Sequence, residues 1–138
     1  MPSTLRVRTI GAGRAGRALA TALDAAGWRH VGFLGRGDRV ADALAGVDLL
    51  VVATPDAVVG EVARAVGPRD DAVIAHVAGS LGLVALAPHR RVAAFHPLVS
   101  LPSPEFGAAR LAAGAWFAVA GDPIAARVVA DLGGRPSK

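Results

Sequence analysis

The sequence has no cysteine. Disulfides, thiolate zinc sites and cysteine nucleophiles are therefore excluded. Aromatic residues make up only 4% of the chain and charged residues only 19%, beside 53% hydrophobic residues. That balance excludes a disordered polyelectrolyte and leaves enough apolar side chain for a real core. Long apolar runs are lacking too. The run 49–53 is far too short to cross a bilayer, so no membrane partner is expected. The start, Met1-Pro2-Ser3-Thr4, does not have the pattern of a signal peptide, and a cytoplasmic location is expected. Lysine is nearly missing, with Lys138 the one lysine among 15 basic residues. The net charge of +4 permits an anionic ligand. The arginines, such as Arg6, Arg29, Arg64 and Arg110, are scattered without a basic run, and no nucleic-acid partner is expected.

Alanine and glycine are abundant, and apolar runs alternate with alanine-rich helical stretches. Residues 5–10 read as a strand ending at Gly11. Residues 14–26 read as a helix, because Ala15, Ala18, Leu19, Ala22, Leu23 and Ala26 recur at helical spacing. Gly27 is placed to cap it. A second strand is predicted at 30–34, and Asp38 is placed to N-cap a short helix through Leu44. Residues 48–53 are nearly all aliphatic, as a central parallel strand buried on both faces should be. Thr54-Pro55-Asp56 opens a helix to about Val66, with Asp56 as its cap. Further strands are predicted at 72–77, 92–95 and 115–120. A short helical piece reaches Leu86, Pro102 and Pro104 mark an irregular loop, and a last helix runs from Asp122-Pro123 to Leu132. Its end at Gly133-Gly134 leaves a short tail. Strands separated by helical crossovers predict one α/β domain: a doubly wound, mainly parallel six-stranded Rossmann sheet.

Gly11-Ala12-Gly13-Arg14-Ala15-Gly16 matches G-x-G-x-x-G between the first strand and the first helix. The first glycine permits a tight turn, the second lets a pyrophosphate approach the backbone, and the third lets helix and strand pack closely. The helix N-terminus then offers free N–H groups to phosphate. Gly35 and Arg36 stand at the end of the second strand, where a dinucleotide site recognises the ribose 2′ position. A guanidinium there suits a 2′-phosphate, which favours NADP; Arg14 and Arg39 are possible helpers, and Asp38 is the alternative, NAD-binding reading. Ala53, Thr54 and Pro55 end the third strand on the same edge and complete the expected cofactor set.

Ser80 ends the fourth strand and His96 the fifth, also on that edge. They are the candidate catalytic residues, able to hydrogen-bond a small carbonyl substrate; a helix-capping role for Ser80 and a backbone-bonded role for His96 stay open. His76 and His89 read as structural or solvated. No metal site, P-loop or hydrolase elbow is found.

With these residues the chain resembles the 6-phosphogluconate-dehydrogenase-like group of NAD(P)-binding domains. That group includes pyrroline-5-carboxylate reductases, prephenate dehydrogenases and F420-dependent NADP oxidoreductases. It is more closely similar to the N-terminal half of the bacterial "Rossmann-like and DUF2520 domain-containing" oxidoreductases. Residues 11–19, 45–56, 76–80, 95–101 and 114–121 carry the likeness. The resemblance implies an NADP-linked reductase acting on a small 2-oxo acid such as ketopantoate. It also implies catalytic roles for Ser80 and His96, which match a Gly-Ser and a His-Pro of prephenate dehydrogenases. Such families continue into a helical C-terminal domain that completes the substrate pocket and, usually, a homodimer. That domain is absent here, so the chain is expected to be truncated, and to bind cofactor without completing catalysis alone. The competing readings are a non-catalytic dinucleotide-sensing module and an S-adenosylmethionine methyltransferase. The latter normally has an acidic residue where Arg36 stands.

Overall fold

The computed structural model describes residues 4–98 and 115–137. Seven strands form one sheet: β1 (Arg6–Ile10), β2 (Arg29–Leu34), β3 (Leu49–Val52), β4 (Val73–His76), β5 (Val92–Pro97), β6 (Trp116–Gly121) and β7 (Arg135–Ser137). Their order is β2-β1-β3-β4-β5-β6-β7. The first five are parallel, β6 runs antiparallel to β5, and β7 runs parallel to β6. The α/β Rossmann-like sheet expected from the sequence is therefore present, with its six predicted strands and one short edge strand more. The proline loop around Pro102 and Pro104, the residues 99–101 and 114 of the matched stretches, and Arg110 lie outside the described residues.

Alternation along the central strands decides the layers. Leu49 and Val51 of β3 point to one face, where α1 (Arg14–Ala25) and α3 (Ile124–Asp131) pack with Trp28. Leu50 and Val52 point to the other face, against α2 (Val59–Ala65), Leu44 and Leu86. All four residues of β3 are buried, as its all-aliphatic sequence predicts for a strand covered on both sides. Trp28 is tied across the first layer by its indole N–H, which donates to Asp131 Oδ2 at 2.8 Å.

Three local expectations are corrected. The segment after Asp38 is not a helix but a series of turns over residues 41–46. Its carbonyls are held from outside, because the Arg8 guanidinium donates to Ala43 and Ala45. Nor does one continuous helix follow Pro55. A single 3₁₀ turn, Asp56–Val58, precedes α2, and no side chain caps either. Likewise the piece before Leu86 is a 3₁₀ turn, Leu83–Leu86, which begins after Gly82 and not at Ser80.

No helix among the described residues is long and apolar enough to cross a membrane.

Candidate functional site

The turn between β1 and α1 is built around missing side chains. Gly11 has φ of +102°, and a Cβ there would sit 2.7 Å from the Ala53 carbonyl oxygen. A Cβ on Gly16 would run into the Gly11 carbonyl oxygen. Both positions thus hold the turn against its neighbours. Gly13 differs: its φ is −77°, and a Cβ would meet nothing within 4 Å. Packing does not require glycine there. The open side faces a cleft of about 610 Å³ at the carboxyl ends of β1, β2 and β3. Gly13 is also the N-cap of α1, and no side chain caps that helix. Its first-turn N–H groups, on Arg14, Ala15 and Gly16, are left for a ligand.

The cleft gathers most of the predicted cofactor residues. Gly11, Ala12, Gly13, Gly35, Arg36, Ala53, Thr54 and Pro55 line it. Arg14, Ala15 and Gly16 form the helix start beside it and are not among its walls. Leu34, Val40, Val58, Val62 and Ala65 give it an apolar wall suited to a planar base. The Thr54 hydroxyl oxygen is buried there and has no hydrogen-bond partner among the described residues. Buried hydroxyls are ordinarily paired, so this atom asks for a ligand group.

At the end of β2, the Asp38 carboxylate accepts the Gly35 N–H at 2.7 Å. Asp38 therefore closes the 35–38 turn and does not cap a helix. Arg36 is exposed at the rim of the cleft and makes no hydrogen bond among the described residues. Arg17 is a feature that the sequence reading missed. Its Nε donates to the Ala12 carbonyl at 2.7 Å, which sets a positive charge on the glycine turn.

Ser80 and His96 lie outside this cleft: Ser80 follows the end of β4, while His96 stands within the paired end of β5, which runs on to Pro97 and does not end at Phe95 as the sequence predicts. A Cβ on Gly79 would come within 2.7 Å of the His96 ring, so the imidazole lies directly on the backbone next to Ser80. His96 Nδ1–H donates to the Val77 carbonyl at 2.7 Å. The ring nitrogen bearing that proton is fixed by its partner, since a carbonyl only accepts. The Ser80 hydroxyl donates to Asp56 Oδ2 at 2.6 Å. Asp56 is thus a partner of Ser80 and not a helix cap, and Ser80 caps nothing.

His76 holds this segment from below. It is fully buried. Its Nδ1 accepts the Ala78 N–H at 3.1 Å, and its Nε2–H donates to the Gly82 carbonyl at 3.0 Å. Both ends of the stretch carrying Ser80 are pinned by one side chain. His89 is structural in the same sense, with Nε2–H donating to the Ala63 carbonyl at 2.8 Å. No group of three or more metal-ligating side chains gathers among the described residues.

No protein-family profile and no curated protein matches the chain. Solved structures do. Prephenate dehydrogenase from Aquifex aeolicus, in complex with hydroxyphenyl propionate and NAD+, superposes with a TM-score of 0.73 at 16% identity, over 99% of this chain and 60% of that one. A reductive aminase from Aspergillus terreus, in complex with NADPH4, cyclohexanone and allyl amine, gives 0.70 at 19% identity, over 98% and 54%. The 1-pyrroline-5-carboxylate reductase of Streptococcus pyogenes gives 0.67 at 14% identity, over 98% and 58%. The chain spans little more than half the length of each. What it shares with these oxidoreductases is the α/β Rossmann-like fold.

Proposed function

We propose that the chain is the NADP(H)-binding domain of an oxidoreductase that transfers hydride between NADPH and a small carbonyl compound, such as the 2-oxo acid ketopantoate. The observation that carries this reading is Gly13: glycine where packing needs none, at an uncapped helix start, open to a cleft. When bound, the nicotinamide would supply or accept the hydride. The chain's own groups do the rest. The first-turn N–H groups of α1 and the Arg17 charge would hold the pyrophosphate. The apolar wall would take the adenine, and Thr54 would give its hydroxyl a partner. Arg36, exposed at the rim of the cleft, would pair with a 2′-phosphate, which supports NADP over NAD. Ser80 and His96 would bind the substrate's oxygen. On the same reading a helical domain completes the substrate site and a homodimer, and the family is the one containing the DUF2520 domain.

Calorimetric titration tests this. NADPH should bind with 1:1 stoichiometry and more tightly than NADH, and S-adenosylmethionine should not bind. Absence of heat with either dinucleotide would overturn the reading.

A further inference from the structure

The two walls of the cleft at the glycine turn differ in charge. On the β2 side stand Arg36 at the rim and Asp38, whose carboxylate accepts the Gly35 N–H. On the α2 side Val58, Val62 and Ala65 form an apolar stripe at helical spacing, and the charged residue beside it is Glu61. Glu61 is exposed and makes no hydrogen bond or ion pair among the described residues. A carboxylate in the first turn of α2 suits the helix dipole, yet one facing away from the cleft would do the same. The dipole therefore does not account for a negative charge on the wall of a cleft that would take an anion.

Position along the wall decides what Glu61 can meet. The chain leaves β3 beside the glycine turn, where the Ala53 carbonyl crowds Gly11. Because β3 and β4 are parallel, α2 must run back from that edge. Glu61 lies three residues past Val58, about 4.5 Å further from the turn at helical rise. It is thus set away from the pyrophosphate and toward the part of the cleft walled by apolar side chains. A carboxylate only accepts hydrogen bonds. It repels phosphate, and the ribose would sit on the opposite wall at Gly35 and Arg36. The group left within its reach is the edge of the base, where adenine carries a 6-amino donor. We infer that Glu61 is a specificity-determining residue of the cleft, accepting a hydrogen bond from the 6-amino group of adenine. This rests on the proposed dinucleotide reading and adds to it a choice of base.

The test uses the whole chain and a matched pair of probes, AMP and purine riboside 5′-monophosphate, which lacks only the 6-amino group. Binding is followed by the amide signals of Gly13 and Glu61. One net hydrogen bond corresponds to a preference of about fivefold. The wild-type chain should bind AMP about fivefold more tightly than the purine nucleotide. Glu61 is exposed on a helix and alanine is a good helix former, so Glu61→Ala should fold normally and bring the ratio close to one. Glu61→Gln keeps an acceptor oxygen and should keep a preference for AMP. A role confined to charge would change both affinities alike and leave the ratio as it was. Equal affinities in the wild type, an unchanged ratio in Glu61→Ala, or a ratio of one in Glu61→Gln would each overturn the proposal. NADPH, titrated into the same samples and read at the Gly13 amide, separates the two readings. A saturable NADPH response without any preference for AMP would overturn the Glu61 assignment alone, and no response to NADPH or to either nucleotide would overturn both.

Discussion

The two halves of the candidate site are built in opposite ways. The β1–α1 turn is made of backbone: three glycines, an uncapped helix start and the neighbouring carbonyl of Ala53. The cluster at the carboxyl ends of β4 and β5 is made of side chains whose partners are 19 and 24 residues away, His96 on Val77 and Ser80 on Asp56. The first can be read from local spacing because its chemistry lies in what the residues lack. The second exists only once the sheet has brought separate strand ends together. A site of the first kind should fail through its geometry, and one of the second kind through its partners.

The largest effect should come from the turn. In Gly16→Val the new side chain meets the Gly11 carbonyl oxygen, which is backbone and cannot step aside. A stability loss of about 3 kcal/mol or more is expected in denaturant unfolding, with cofactor affinity lost as well. His76→Ala removes the buried ring that pins the Ser80 segment and leaves the Ala78 N–H and Gly82 carbonyl without it. A loss of about 2 to 3 kcal/mol is expected. The amide of Ser80 should then exchange faster while that of Gly13 does not, a contrast that uniform exchange across both would break. Arg36→Ala sharpens the cofactor half. NADPH affinity should fall about tenfold and NADH affinity less than twofold, because one charge-assisted contact to the 2′-phosphate is lost.

The smallest effect is a pH dependence away from both halves. Burial pushes the His30 imidazole below the ordinary histidine range, against a raising effect of Asp24. Its ring nitrogen Nε2 lies 2.9 Å from the Thr9 hydroxyl. The unfolded chain then binds a proton more readily than the folded one, so this contribution to stability is complete above about pH 6.5 and declines as pH falls toward the lowered folded value. His30→Gln should flatten the slope of unfolding free energy against pH in that window.

Much of the fold was legible because it rests on local pattern. The G-x-G-x-x-G spacing located the turn, and the aliphatic run in β3 announced burial on both faces. Most of the candidate cofactor residues converge on one cleft for the same reason: parallel strands bring their carboxyl ends to one edge. What was not legible depended on distant partners. Asp38 and Asp56 both look like helix caps in sequence, and capping is a local preference. In the structure one closes the Gly35 turn and the other binds Ser80. The turns at 41–46 replace a helix because Arg8, on β1, takes their carbonyls. The direction of β6, antiparallel to β5, is not marked in the strand's own residues. β7 is three residues long and contains Pro136, which has no N–H to donate, so nothing in its sequence marks a strand.

Gly13 separates the requirements of folding from those of binding more cleanly than any other position. Aspartate is at least as good an N-cap as glycine, and the open space and extended φ accept it. In Gly13→Asp the carboxylate would occupy the first-turn N–H groups and repel a pyrophosphate. Parallel measurement of unfolding free energy and NADPH affinity in this variant is the most direct test. Stability within about 0.5 kcal/mol of wild type, with affinity reduced more than about a hundredfold, is the predicted result. Unchanged NADPH affinity in a folded Gly13→Asp chain would contradict the placement of the cofactor on this turn.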